Sequence, residues 1–155
     1  MKKYVTLRQV VNMCKALAKA IIRDGYKPDL IIGLSRGGWV PARFIADELQ
    51  LTTLASIGVK SYEAVNKKTG IKLTERLGLS VKGKKVLVVD DIADTGDTLK
   101  FVEKYLKAKG ALTVKTATLH VKPKICKHKP DYYAKPTNAW IVYPWELVED
   151  KTKWV

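Results

Sequence analysis

A chain of 155 residues, 46% hydrophobic with the apolar residues spread along its length, can bury about two thirds of its unfolded surface in one domain, which excludes a disordered chain. No apolar run approaches the roughly 18 residues of a membrane span, and the start MKKYVTLRQVV lacks the apolar segment of a secretory signal, so a cytosolic protein is expected. The net charge of +14 suits an anionic partner, either nucleic acid or a phosphorylated small molecule; a merely lysine-rich solvated surface is the alternative.

Thr6 followed three residues later by Gln9 has the form of a capping box. Leu7, Val10, Val11, Cys14, Leu17, Ala18, Ile21 and Ile22 then repeat at helical spacing up to a stop at Gly25. Cys14 falls on the apolar face and reads as a small core residue. DLIIGL reads as a buried parallel strand. SRGGWVP is a loop whose Pro41 stands near the first turn of a helix running to about Leu49. A strand is expected around Leu54–Val59. Residues 61–85 are polar, rich in lysine and glycine and weakly periodic, which predicts a long mobile or functional excursion. Val86–Val89 is the next strand, and helical spacing resumes from about Thr98 to Lys109, ending at Gly110. Strand-like runs follow at Val114–Leu119 and Ala139–Val142. The alternation of helix and strand predicts an α/β fold with one parallel sheet covered on both faces. Cys126 lies in KPKICKHKP, where flanking lysines would lower its pKa. The two cysteines form no CxxC or zinc pattern.

The chemistry concentrates in VLVVDDIADTGDTL, residues 86–99. Asp90 and Asp91 close an apolar strand, and ligands of open parallel sheets bind at the carboxyl ends of strands. Asp94, Thr95, Gly96, Asp97 and Thr98 lead straight into a helix, whose first N–H groups and positive dipole end favour phosphate. Gly96 allows close backbone approach, Thr95 and Thr98 add hydroxyl donors, and the acidic pair can accept from vicinal hydroxyls. The stretch therefore has the chemistry of a ribose-phosphate cradle. Receiver domains also carry paired aspartates after an apolar strand, but near the domain start and without DTGDT. A simple capped helix accounts for one Asp or Thr, not for this density of polar groups.

This stretch resembles the phosphoribosyl-pyrophosphate (PRPP) motif of type I phosphoribosyltransferases, and the order of the other segments is similar to the short microbial and archaeal 6-oxopurine enzymes. The resemblance implies a type I phosphoribosyltransferase fold: about five parallel strands flanked by helices, with a small hood from the N- and C-terminal segments. It implies transfer of the phosphoribosyl group from PRPP to guanine, hypoxanthine or xanthine with release of pyrophosphate, Mg2+ as cofactor, and a homo-oligomer, dimer or tetramer. Asp90 and Asp91 would hold the ribose hydroxyls and the metal. Asp94 through Thr98 would cradle the 5′-phosphate, with Asp94 as general acid/base and the Asp97 side chain turned outward, only its N–H facing the phosphate. LSRGGWVP is similar to the pyrophosphate loop: Ser35, Arg36 and Gly37 would bind pyrophosphate, and Arg36 and Gly37 match the place of a strained, often cis, peptide. Lys60, Ser61 and Tyr62 would open the flexible loop that closes over the site. Lys122 in LHVKPK would read the 6-oxo group. In AWIVYPWE, Trp140 would stack on the purine, the Ile141 backbone would meet its edge, and Glu146 would help hold magnesium-pyrophosphate; Trp145 reads as a core aromatic. His120 and His128 have no evident role. Two other readings stay open: a PRPP- or nucleotide-responsive nucleic-acid-binding regulator of the same fold, and an adenine phosphoribosyltransferase. The absence of an added DNA-binding domain and the presence of Lys122 and AWIVYPWE argue against them.

Overall fold

The computed structural model describes residues 1–63 and 69–146 of the chain. The first strand, β1 (Lys2–Tyr4), leads into α1 (Leu7–Arg23). The capping box forms as expected: the Gln9 N–H donates to Thr6 Oγ1 and the Thr6 N–H to Gln9 Oε1. Val10, Cys14, Leu17 and Ile21 form its buried stripe, and Gly25 leaves the helix at φ +73°. β2 (Leu30–Ser35), α2 (Trp39–Glu48) and β3 (Leu54–Glu63) follow. Next come β4 (Thr69–Glu75), β5 (Lys85–Ala93), α3 (Asp97–Ala108) and β6 (Thr113–Val121). The last strands are β7 (Tyr132–Pro136) and β8 (Trp140–Val142).

Six strands make the main sheet in the order β4-β3-β2-β5-β6-β7, all parallel except β4. α1 and α2 cover one face, where Ile31, Leu87, Val89, Ala117 and Leu119 join their apolar stripes. α3 covers the other over Leu30, Ile32, Leu34, Val86 and Val88. Side chains of adjacent residues on a strand point to opposite faces, so each central strand feeds both cores and reads as a continuous apolar run. From β2 the chain runs outward to β3 and β4, then returns to the other side of β2 as β5 and continues outward to β6 and β7. The loops after β2 and β5 thus part from adjacent strands in opposite directions and leave a crevice at the carboxyl ends. The hood is a separate parallel pair, β1 with β8, in the register Lys2↔Trp140 to Tyr4↔Val142.

Five parallel strands agree with the expected sheet of about five, and two details are corrected. Among the described residues Thr69–Glu75 adds a sixth, antiparallel strand against β3, and the edge strand against β6 is Tyr132–Pro136, while the run at Ala139–Val142 lies in the hood. Residues 61–85 are not one irregular excursion: Lys60, Ser61 and Tyr62 belong to β3 and pair with Lys72, Ile71 and Gly70 of β4, although residues 64–68 lie outside the described set. Two half-buried side chains, Ile71 and Leu73, supply the two-residue period, which the intervening lysine hides. Finally, Val81 of the same stretch is 1% exposed and belongs to the α3-side core.

Leu106 closes that core from α3 and is fully buried. Leu106→Ala is expected to lower unfolding stability by about 2–5 kcal/mol in denaturant titration, through the cavity it leaves.

Candidate active site

The site is built around the carboxyl end of β5. Asp90 follows Val86 and Val88 on the α3 side; Asp91 follows Leu87 and Val89 on the other. The two adjacent carboxylates therefore serve different cavities. Asp90 lines one of about 360 Å3 with Ser61, Ile71 and the whole run Ile92–Leu99. Asp91 lines another of about 400 Å3 with Arg36, Gly37, Trp39, Val40, Trp145 and Glu146.

Both carboxylates are half-buried, and both hold their protons more tightly than an ordinary Asp. For Asp90 the cause is burial first and the Asp91 charge second, and its pKa stands well above the usual value. Burial and then the Glu146 charge push Asp91 up to about 6. Local main-chain donors offset this in part: the Asp91 N–H reaches Asp90 Oδ1 at 2.9 Å and the Ile92 N–H reaches Asp91 Oδ1 at 2.7 Å. The buried Trp145 indole N–H also favours ionised Asp91, although its geometry falls short of a hydrogen bond. Two adjacent carboxyls at a strand end are a donor set suited to a cation or to substrate hydroxyls.

In the first cavity, Gly96 caps α3 at φ +87°. A Cβ there would lie 2.1 Å from the His128 carbonyl oxygen, so only glycine lets residues 122–128 lie against the loop. That segment is fastened by Lys122 N–H to the Ala93 carbonyl at 3.0 Å and Lys127 N–H to the Thr95 carbonyl at 2.9 Å. The helix then opens with Asp97 and Thr98, and its first-turn N–H groups face the cavity end of the dipole. The Asp97 side chain is exposed and bonded within the loop. Its carboxylate turns back to accept the Thr95 hydroxyl at 2.8 Å, and its own N–H reaches Thr95 Oγ1 at 3.3 Å. A carboxylate in a helix first turn is favoured by the dipole, and the nearest hydroxyl outcompetes solvent.

In the second cavity, Asp91 packs directly on Gly37, where a Cβ would stand 2.2 Å from Oδ2. Ser35 ends β2 and Arg36 and Gly37 follow it, and the cis peptide is Ser35–Arg36, one residue before the expected pair. Glu146 lies in a short 3-10 turn after β8 and accepts the Tyr143 N–H at 2.9 Å.

Three expected residues from distant segments meet at the edge of the site. Lys122 Nζ lies 2.6 Å from Asp94 Oδ1 and 5.6 Å from the Trp140 ring centre. Trp140 is 64% exposed, with its face available to a planar group. The Trp140 N–H bonds Met1 and the Val142 carbonyl bonds Val5, so alternation along β8 turns the Ile141 main-chain groups to the other edge. Tyr62 and Lys60 are exposed on the β3–β4 hairpin, and Ser61 borders the first cavity.

Trp145 stacks on Tyr143 and packs against the α1–α2 core, as read from sequence, but it also borders the second cavity. Cys126 is corrected: burial outweighs Lys129 and pushes its thiol up, because the neighbouring lysines extend into water. Cys14 is buried and its thiol is pushed up to about 12, as a core residue should be. Sequence reading missed Tyr143 and set aside His120. His128 pairs with Glu103 on α3 and belongs to the framework behind the loop.

The raised proton affinity of Asp91 sets the sign of a stability effect. Folded Asp91 binds its proton more tightly than the unfolded chain, so stability falls as pH rises from about 4 through about 6 and stays reduced above. Asp91→Asn is therefore expected to raise Tm by about 5 °C at pH 8, with the gain disappearing near pH 4 in thermal melts. A lower Tm at pH 8 would contradict the assignment.

The family model of the phosphoribosyl transferase domain matches residues 2–151. A hypoxanthine-guanine phosphoribosyltransferase of Lactococcus lactis is 36% identical over 141 residues, 84% of this chain and 74% of that protein. A xanthine-guanine phosphoribosyltransferase of Cereibacter sphaeroides is 30% identical over 152 residues, 93% of this chain and 86% of that one. The crystal structure of a purine phosphoribosyltransferase from Pyrococcus horikoshii superposes with a TM-score of 0.82 at 39% identity, covering 93% of each chain. With its switch-point crevice, its paired strand-end carboxylates and a family match over nearly its whole length, the chain belongs to the phosphoribosyltransferase family.

Proposed function

We propose that the protein transfers the 5-phosphoribosyl group of PRPP to a 6-oxopurine, guanine, hypoxanthine or xanthine, and so salvages free purine bases. The observation that carries this reading is the arrangement of two cavities on either side of Asp90 and Asp91, with Asp94, Lys122 and Trp140 grouped at the edge. PRPP has anionic groups at both ends and hydroxyls between them, in the same order. The names of the similar proteins point to the same base class.

In this reading, the first-turn N–H groups of α3 and the hydroxyls of Thr95 and Thr98 take the 5′-phosphate. Its arrival draws the Thr95 hydroxyl away from Asp97. Asp90 and Asp91 accept the ribose hydroxyls. Ser35, Arg36 and Gly37 hold the pyrophosphate, Arg36 with its planar fork. Trp140 stacks on the purine, Ile141 meets its edge through the main chain, and the Lys122 ammonium donates to the 6-oxo oxygen. An ammonium has no acceptor, so it favours a carbonyl over the amino group of adenine. The bond from the anomeric carbon to pyrophosphate breaks and a bond to the purine imidazole nitrogen forms; the proton lost by the imidazole passes to Asp94. The hairpin carrying Lys60, Ser61 and Tyr62 stands beside the first cavity, placed to exclude water from a cationic transition state.

Magnesium fits these residues. Among the described residues no cluster of three or more side chains forms a closed cage. Mg2+ is commonly held by one or two carboxylates together with substrate phosphates, and Asp90, Asp91 and Glu146 offer such a set. Bound there, it would neutralise charge on the departing pyrophosphate. The remaining assignments are a cytosolic location and a homo-oligomer, dimer or tetramer. No described helix is long and apolar enough to cross a membrane.

The test is nucleotide formation from PRPP with Mg2+ and each base in turn. Guanine, hypoxanthine or xanthine should react and adenine should not. Asp94→Asn should lower kcat by about 10²–10⁴-fold, the usual contribution of a positioned acid/base. Lys122→Ala should raise KM for the base by about tenfold or more with PRPP affinity kept. Efficient use of adenine would overturn the 6-oxo assignment. Failure of every base while PRPP binds would favour the regulator, whose nucleic-acid affinity would fall steeply with salt.

A further inference from the structure

Tyr143 is 1% exposed, yet it joins three parts of the molecule. Its hydroxyl donates to the main-chain carbonyl of Asp91 at 3.0 Å. Nδ1 of His120, 2% exposed on β6, lies 2.7 Å from the same hydroxyl oxygen. A carbonyl can only accept, so the single tyrosine proton lies toward Asp91 and His120 must supply an N–H from Nδ1. Burial, assisted by the charges of Lys3 and Lys135, pushes the His120 imidazole down to about 4, so it is neutral near pH 7, and the Tyr143–Asp91 bond selects the tautomer whose one ring proton is on Nδ1. The result is a directional chain: His120 donates to Tyr143, and Tyr143 donates to Asp91.

The other end of Tyr143 reaches Glu146, whose Oε2 accepts the Tyr143 main-chain N–H at 2.9 Å. Its ring stacks on Trp145 with centroids 4.8 Å apart and planes 5° apart. Asp91, Trp145 and Glu146 all line the second cavity. One residue thus fixes both carboxylates of that cavity, Asp91 through its main chain and Glu146 through its side chain. On the opposite side the Asp91 carboxylate lies over Gly37, where any side chain would displace it.

We propose that Tyr143, oriented by His120, is a positioning residue for the pyrophosphate end of the site: it sets the separation of Asp91 and Glu146, and with it the affinity for magnesium-bound pyrophosphate and for PRPP. This rests on reading the second cavity as the pyrophosphate subsite. The base end, held by Asp94, Lys122 and Trp140, is built on other contacts and should be spared.

Tyr143→Phe removes only the hydroxyl. It should weaken magnesium-pyrophosphate binding in calorimetry and raise KM for PRPP, each by about tenfold, the equivalent of one buried hydrogen bond, while KM for the base stays within about twofold. His120→Leu should act in the same direction. His120→Asn keeps an N–H near the position of Nδ1 and should restore most of the affinity. A merely structural role would lower Tm and leave both pyrophosphate and PRPP affinity unchanged; that result, or an Asn variant as impaired as the Leu variant, overturns the proposal. In the unmodified protein, 15N NMR should show His120 protonated at Nδ1 at neutral pH. Protonation at Nε2 alone would also overturn it, without any variant having to fold. If the unmodified protein binds no magnesium-pyrophosphate, the subsite reading and the proposal fall together. If it binds and Tyr143→Phe binds equally well, only the proposal falls.

Discussion

Two adjacent carboxylates held half out of water at the end of a central strand are the constraint to which the surrounding structure answers. Burial raises the proton affinity of both carboxyls, and the Asp91 charge adds to it at Asp90 and the Glu146 charge at Asp91. Such a pair costs stability and persists where the surroundings hold it for a purpose. Strand alternation sends the two carboxyls to opposite sides of β5, which divides the space above the sheet into two cavities with one carboxylate each. A substrate with an anionic group at either end and hydroxyls between them matches that division.

The rest of the fold places donors around this charge. Because the strand order reverses between β2 and β5, the glycine-rich loop after β2 meets Asp91 while the α3 N-terminus lies beside Asp90. Gly37 and Gly96 are required for different reasons. The first lets a carboxylate rest on the backbone; the second combines a positive φ with the close approach of the His128 carbonyl. The segment that carries Lys122 is the same one that lies against the Asp94–Thr98 loop, so the Lys122 ammonium and the α3 N-terminus are held in one unit. The hood brings Trp140 and Glu146 to opposite ends of the site through a strand pair only three residues long.

Much of this was legible in VLVVDDIADTGDTL, because an apolar strand, an acidic pair and a helix start are all local features. Their order alone places the carboxylates at a strand end and the hydroxyls at a helix N-terminus. The meeting of Asp94, Lys122 and Trp140 became readable only through resemblance, since the three stand in separate segments. Local signals failed where tertiary context decides. β4 was hidden because Ile71 and Leu73 are its two apolar residues, set between charged and polar neighbours. β1 is too short to show a period and β7 presents no clear one, whereas β8 was read as the strand Ala139–Val142 but not as part of the hood. For Cys126 the flanking lysines pointed one way and burial, invisible in the sequence, points the other. His120 looked idle because its partner Tyr143 lies 23 residues away, across the boundary between sheet and hood.

Titration of PRPP into the protein by calorimetry, with and without Mg2+, tests the central claim most directly. If the acidic pair is the centre of a PRPP site, binding should be saturable at one PRPP per chain and should strengthen by at least about tenfold when Mg2+ is present, because the cation relieves repulsion between substrate anion and carboxylates. PRPP affinity indifferent to Mg2+, or no saturable binding under either condition, would contradict the account.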